Sequence, residues 1–168
     1  MNDSISKDFT GEDQSKLPTG LNVLTILTII GTILFGFIGG VWGFFSAQKN
    51  YEETKKVLDS GKFDNAPSWA KGMMSPEMLE MQHKALENRL PILILTLVAS
   101  ALCLYGAIEM RKRRKQGYTL WLVGELLPIA TTILFLGVGT LKGFGLLILF
   151  IPLIFIILYT VHRKELLY

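Results

Sequence analysis

The stretch LPILILTLVASALCLYGAIEMRKRRK, residues 90–115, runs from Leu90 to Ile108 without a charge and then meets five adjacent cations, Arg111, Lys112, Arg113, Arg114 and Lys115. A hydrocarbon core of about 30 Å needs about 20 helical residues to cross it. Three more runs have the same character, at Leu21–Phe45, Leu120–Leu141 and Phe144–Val161. The expected fold is therefore all-α: a polytopic membrane protein with four transmembrane helices in an antiparallel bundle. Of the 168 residues 50% are hydrophobic and 18% charged, and most charges sit in blocks outside the four runs. A domain folded in water would spread them along amphipathic faces instead.

The runs set the organisation. Residues 1–18 read as a mobile cytoplasmic N-terminus, polar and rich in Asp and Ser. Residues 19–168 read as one four-helix transmembrane domain, in which 48–89 form an extramembrane helical segment between spans one and two. The first 16 residues carry Asp3, Asp8, Glu12 and Asp13 against Lys7 and Lys16, which is not the basic start of a secretory signal. The first helix is expected to run on into water through Tyr51–Lys56, with Gly61 as its left-handed stop. Asn65-Ala66-Pro67-Ser68 reads as a turn. Ser75-Pro76-Glu77 reads as a helix start, with a capping serine, a proline at the first helical position and an acid at the positive helix end. Met78, Met81, Ala85 and Leu86 then share one face, suited to the membrane surface or to the extended first helix. Lys142-Gly143, with Gly139 and Gly145, reads as a tight turn.

Four crossings put both termini and the 110–118 loop on one side. The Lys plus Arg count is nearly balanced, nine on that side and eight on the other. Density decides, because the positive-inside bias is strongest in short loops beside the spans. The Arg111–Lys115 cluster is the topology anchor, so both termini are expected in the cytoplasm, with residues 48–89 facing outward.

Two features inside the runs bear on packing and chemistry. Gly36 with Gly40, and Gly39 with Gly43, form overlapping small-residue steps in span one. Ala99, Cys103 and Ala107 repeat the spacing in span two. Such steps let helix backbones approach closely in lipid, and the simplest reading packs spans one and two along them. Glu125 is the most pointed residue. An acid within a span costs on the order of 2.5–3.5 kcal/mol at mid-bilayer and turns inward to a partner. Pro128 cannot donate to the carbonyl of Gly124, and Thr132 lies further along the same face. Glu125, Gly124, Pro128 and Thr132 thus form a candidate intramembrane polar site. It could hold a cation or proton, an ion pair with Arg111, Arg113 or Arg114, or a protonated hydrogen-bonding acid. Glu109, four residues before Arg113, reads as an interfacial anchor. Trp42, Tyr118, Trp121 and Tyr159 fall where interfacial aromatics belong.

No catalytic, cofactor-binding or metal-ligating set emerges. The phosphate-binding glycine loop, the His-Glu-x-x-His helix and the nucleophile elbow are all absent from the sequence. Cys103 is the one cysteine, and His83 and His162 have no ligand partners at useful spacing. No nucleic-acid site is expected. Partners are the lipid bilayer and either another membrane protein or a second copy of the chain.

Leu17–Thr28 (LPTGLNVLTILT), Asn88-Arg89-Leu90-Pro91, Cys103–Gly106, Met110–Lys115 and Gly124–Pro128 together resemble small, uncharacterised four-span membrane proteins of Bacteroidota-type bacteria. That resemblance implies an inner-membrane location and no particular activity. The functional expectation is a non-enzymatic accessory or assembly subunit of a membrane complex. The alternative is a small oligomeric transporter or channel using Glu125.

Overall fold

The computed structural model describes residues 17–61, 67, 75–141 and 144–166. The N-terminus up to residue 16, the turn around Asn65 and the Lys142-Gly143 turn lie outside them. The described residues are helical apart from short connections, with no strand among them. Three helices are long and apolar enough to cross a membrane: Thr19–Asp59, Arg89–Arg111 and Lys115–Leu136.

The first is a single 41-residue helix. It comprises α1 (Thr19–Gly31), π-helical turns over Thr32–Ile38, and α2 (Gly39–Asp59). At 1.5 Å per residue it is about 60 Å long, roughly twice the hydrocarbon thickness. It stops as its residues dictate: Ser60 caps the last turn and Gly61 takes a left-handed φ of 64°. After the loop comes α3 (Pro76–Glu87), capped by Ser75, whose hydroxyl accepts from the Met78 N–H at 3.2 Å. Of its two expected resting places, α3 takes the extended first helix. It packs on α2, and Tyr51 meets His83 with ring centroids 5.4 Å apart.

Asn88 links α3 to α4 (Arg89–Arg111), with Pro91 in the first turn of α4. The turn from α4 to α5 (Lys115–Leu136) is very short, and Arg113 within it adopts a left-handed φ of 59°. α5 ends at Gly137, φ 89°, followed by the 3₁₀ turn Val138–Leu141. The last long helix, α6, is the 19-residue Phe144–His162.

α4 and α5 form the tightest pair, because glycine removes the side chains where they cross. A Cβ on Gly106 would stand 2.5 Å from the Trp121 backbone nitrogen, and one on Gly117 would stand 2.5 Å from that of Met110. A Cβ on Gly124 would stand 2.8 Å from the Ala99 carbonyl oxygen. Contacts at this distance leave no room for any larger residue. Ala99, Cys103, Ala107 and Met110 are all buried along α4.

Spans one and two do pack on each other, but along a different seam from the one expected. The small face of α4 holds Gly124 of α5 through Ala99 and Cys103, rather than serving mainly the first helix. Of the two glycine steps in span one, that of Gly36 and Gly40 does face α4, but it meets Ser100 and Thr96 instead of the Ala99, Cys103 and Ala107 row. Gly40 is only half-buried, and a Cβ there would stand 3.0 Å from Thr96 Cγ2, a side-chain atom and not backbone. The expected backbone-to-backbone approach at Gly40 is therefore absent, because the Thr96 side chain fills the space between the helices. Gly39 and Gly43 depart further from the expectation. Both are exposed, and nothing approaches within 4 Å of a Cβ on Gly43. Their neighbours Phe35, Trp42 and Phe45 are 80%, 73% and 76% exposed. In water such a face would be a large apolar liability; against lipid it costs nothing.

Candidate functional site

Two polar assemblies stand out, one at the end of the α4–α5 hairpin and one inside the helices. At the hairpin, α4 turns into α5 over a buried acid. The Glu109 side chain is 4% exposed and takes Lys112 Nζ at 2.7 Å and Arg114 Nη1 at 2.8 Å. Its carbonyl also accepts from the Arg114 N–H at 3.1 Å. Glu109 thus holds the turn through Lys112 and Arg114. The i,i+4 geometry that pointed to Arg113 ends where Arg113 leaves the helix. Arg111 reaches across to α1, donating to Asn22 Oδ1 at 2.9 Å and to Thr25 Oγ1 at 3.2 Å. Arg163 lies over the Tyr118 ring, its guanidinium carbon 5.2 Å from the centroid. The basic cluster therefore ties helices together as well as marking one end of them.

The interior assembly draws on four helices. α1 supplies Thr28, whose hydroxyl shares a 2.8 Å hydrogen bond with Tyr159 of α6. The Tyr159 ring packs on Trp121 of α5, centroids 4.3 Å apart. α4 supplies Cys103, whose thiol lies 3.8 Å from the Trp121 carbonyl and 3.7 Å from Glu125 Oε2. Trp121 and Tyr159 are each 1% exposed. Trp121 Nε1 is buried and has no hydrogen-bond partner among the described residues.

Glu125 therefore sits against Cys103, not against an arginine. Arg111 and Arg114 are engaged by Asn22, Thr25 and Glu109. The reason is depth. Cys103 lies eight residues before Arg111 on α4, about 12 Å along its axis. The remaining members of the candidate polar site do not gather around the acid. Gly124 is a packing point against α4, Pro128 is exposed, and Thr132 donates to the Pro128 carbonyl at 2.9 Å.

Trp121 and Tyr159, expected at the membrane interface, are core residues. Thr28, Asn22 and Thr25 were missed altogether. One signal was present: Trp121 and Glu125 are four apart, which puts them on one face of a helix. Thr25 and Thr28 sit with Leu21 and Leu24 on the buried face of α1, but only the fold shows what they meet.

Among the described residues no group of His, Cys, Asp or Glu could hold a metal ion. The chain matches no family model, no curated protein and no solved structure.

Proposed function

We propose that this chain is a non-enzymatic, four-span integral protein of a bacterial inner membrane, with both termini cytoplasmic, and that it serves as an accessory or assembly subunit of a membrane complex. The observation that carries the reading is the length of the first helix. About half of its roughly 60 Å exceeds what the bilayer needs. The surplus, residues 46–59 of α2, is braced by α3 and presents Lys49, Glu52, Glu53, Lys55, Lys56 and Asp59 outside the apolar runs. A stiff charged arm on a membrane anchor suits protein contact. The fourth crossing in this reading is α6, 19 residues long and drawn from the charge-free run Phe144–Val161.

The interior hydroxyls also favour a structural role. Thr96 donates to the Ile92 carbonyl, Ser100 to Thr96 and Thr131 to Leu127, each within its own helix. Protons committed in this way do not link into a conducting chain. Co-purification from gently solubilised native membranes tests the proposal: a stoichiometric membrane partner is expected. Recovery of free monomer only, together with ion flux in liposomes, would reject it.

The interior carboxyl supports a second reading, a small oligomeric transporter or channel. It requires that Glu125→Gln abolish flux while insertion and folding persist. Unchanged flux removes it.

A further inference from the structure

Two polar groups in the interior assembly are poorly served, one buried and one half-buried. The Trp121 indole N–H is fully buried with no acceptor among the described residues. Leaving such a donor unmade costs about 1–3 kcal/mol. One turn along the same helix, Glu125 has a thiol as its hydrogen-bond partner, and sulfur is a weak one. Trp121 and Glu125 lie four residues apart, so they are neighbours on one face of α5. Cys103 touches both residues, at the Trp121 carbonyl and at Glu125 Oε2. Tyr159 stacks on Trp121 and stands within electrostatic reach of both Glu125 and Cys103.

We propose that Trp121, Glu125, Cys103 and Tyr159 enclose a binding site for a water molecule, through which the Glu125 carboxyl gains and loses its proton. Water is the ligand this chemistry selects. It accepts from Trp121 Nε1–H and donates to the carboxylate. When the carboxyl is protonated, the water accepts from that group instead. A buried water needs two to four polar partners, and this set supplies them from three helices. No bond to carbon or sulfur forms or breaks; the carboxyl gives its proton to the water, the water releases one of its own to bulk solvent, and the reverse sequence restores the acid.

Glu125 is the carboxyl of this assembly, and the groups that face it come from the helices packed around α5. From α4 the facing titratable group is Cys103, and from α6 it is Tyr159. α1 contributes Thr28, which does not titrate. α3 touches α5 as well. Its charged residues Glu77, Glu80, Lys84 and Glu87 and its His83 precede Arg89, whereas Cys103 lies about 21 Å along α4 from Arg89. The inference stands apart from the accessory-subunit reading, since a chain with or without a protein partner can hold this water.

The test uses the full chain in lipid nanodiscs with Trp42→Phe and Trp69→Phe, so that Trp121 alone emits. The expected result is a Trp121 emission change that follows a single pH titration and is lost in Glu125→Gln. Infrared spectroscopy supplies an independent reading. The Glu125 carboxyl band should shift on transfer to D2O, and Trp121→Phe, which keeps an aromatic ring and removes the N–H, should move the midpoint of its titration. Emission that ignores pH, or a response that survives Glu125→Gln, would overturn the proposal. If Glu125→Gln fails to insert, the infrared arm decides: a carboxyl band unmoved by D2O, or a midpoint unchanged in Trp121→Phe, would overturn it equally.

Discussion

Gly106→Ala should be among the most damaging single-methyl additions available to this chain. The new Cβ would lie 2.5 Å from the Trp121 nitrogen, 2.7 Å from the Gly117 carbonyl oxygen and 2.7 Å from the Trp121 Cβ. Two of those are backbone atoms of α5, so no rotamer change relieves them. Ordinary contact begins near 3.4 Å, and α4 and α5 must therefore separate by nearly 1 Å. A gap of 0.5–1 Å forfeits roughly a quarter to a half of each van der Waals well along the seam. In lipid that packing is the main force holding helices together. Overpacking of this kind costs about 1–3 kcal/mol, a loss of roughly 5- to 150-fold in the folded-to-unfolded ratio. The assay is denaturant-driven unfolding in bicelles, followed by circular dichroism. Gly43→Ala is the matched control, because its Cβ meets nothing within 4 Å; it should stay within about 0.5 kcal/mol of the parent. Equal stability of Gly106→Ala and the parent, or equal damage from Gly43→Ala, would refute the packing argument.

Tyr159→Phe removes the hydrogen bond between α6 and Thr28; in the same unfolding assay it should cost about 0.6 kcal/mol, the average for interhelical bonds in membranes. A loss several times larger would mean the bond carries more than packing suggests. Ser75→Ala deletes the cap on α3 and should weaken that helix by about 1 kcal/mol, read as faster amide exchange near Met78; unchanged exchange would count against the cap. The Ser75 hydroxyl, and then the Glu77 backbone N–H, hold the Glu77 carboxyl below its ordinary range. A carboxyl lowered by folding stabilises above its unfolded pKa and loses that contribution as pH falls through the folded one. Amide exchange in α3 should therefore quicken as the solution is acidified through the carboxylate range, and Glu77→Gln should flatten the dependence. An identical pH profile in the variant would contradict this.

Long uninterrupted apolar runs made the helices legible, because period and length need no tertiary information. Local chemistry marked their ends equally well: Gly61 and Ser75 act where their backbone and hydroxyl preferences say they should. Partner choice was not legible. Small residues at four-residue spacing declare that something approaches, but not what. The pair Gly36 and Gly40 looks like the pair Gly39 and Gly43 in sequence, yet the first meets α4 side chains and the second faces outward. Gly106, Gly117 and Gly124, the glycines of the tightest seam, do not repeat that spacing within one helix. The interior polar centre was half legible. Glu125 announces itself by its cost in lipid, while Cys103, Trp121, Tyr159 and Thr28 join it only through helix register. Aromatics near the end of an apolar run resemble an interfacial belt whether they face headgroups or a core.

The most direct test of the proposed four-crossing anchor with its external arm is thiol labelling from one side of sealed membrane vesicles. Cys103 is replaced and single cysteines are placed at the exposed positions Lys55, Gln116 and Lys164. In right-side-out vesicles an impermeant reagent should modify the residue 55 site and spare those at 116 and 164 until the membrane is opened. Modification of the 164 site together with that at 55 would mean three crossings, and modification of the 116 site would invert the anchor.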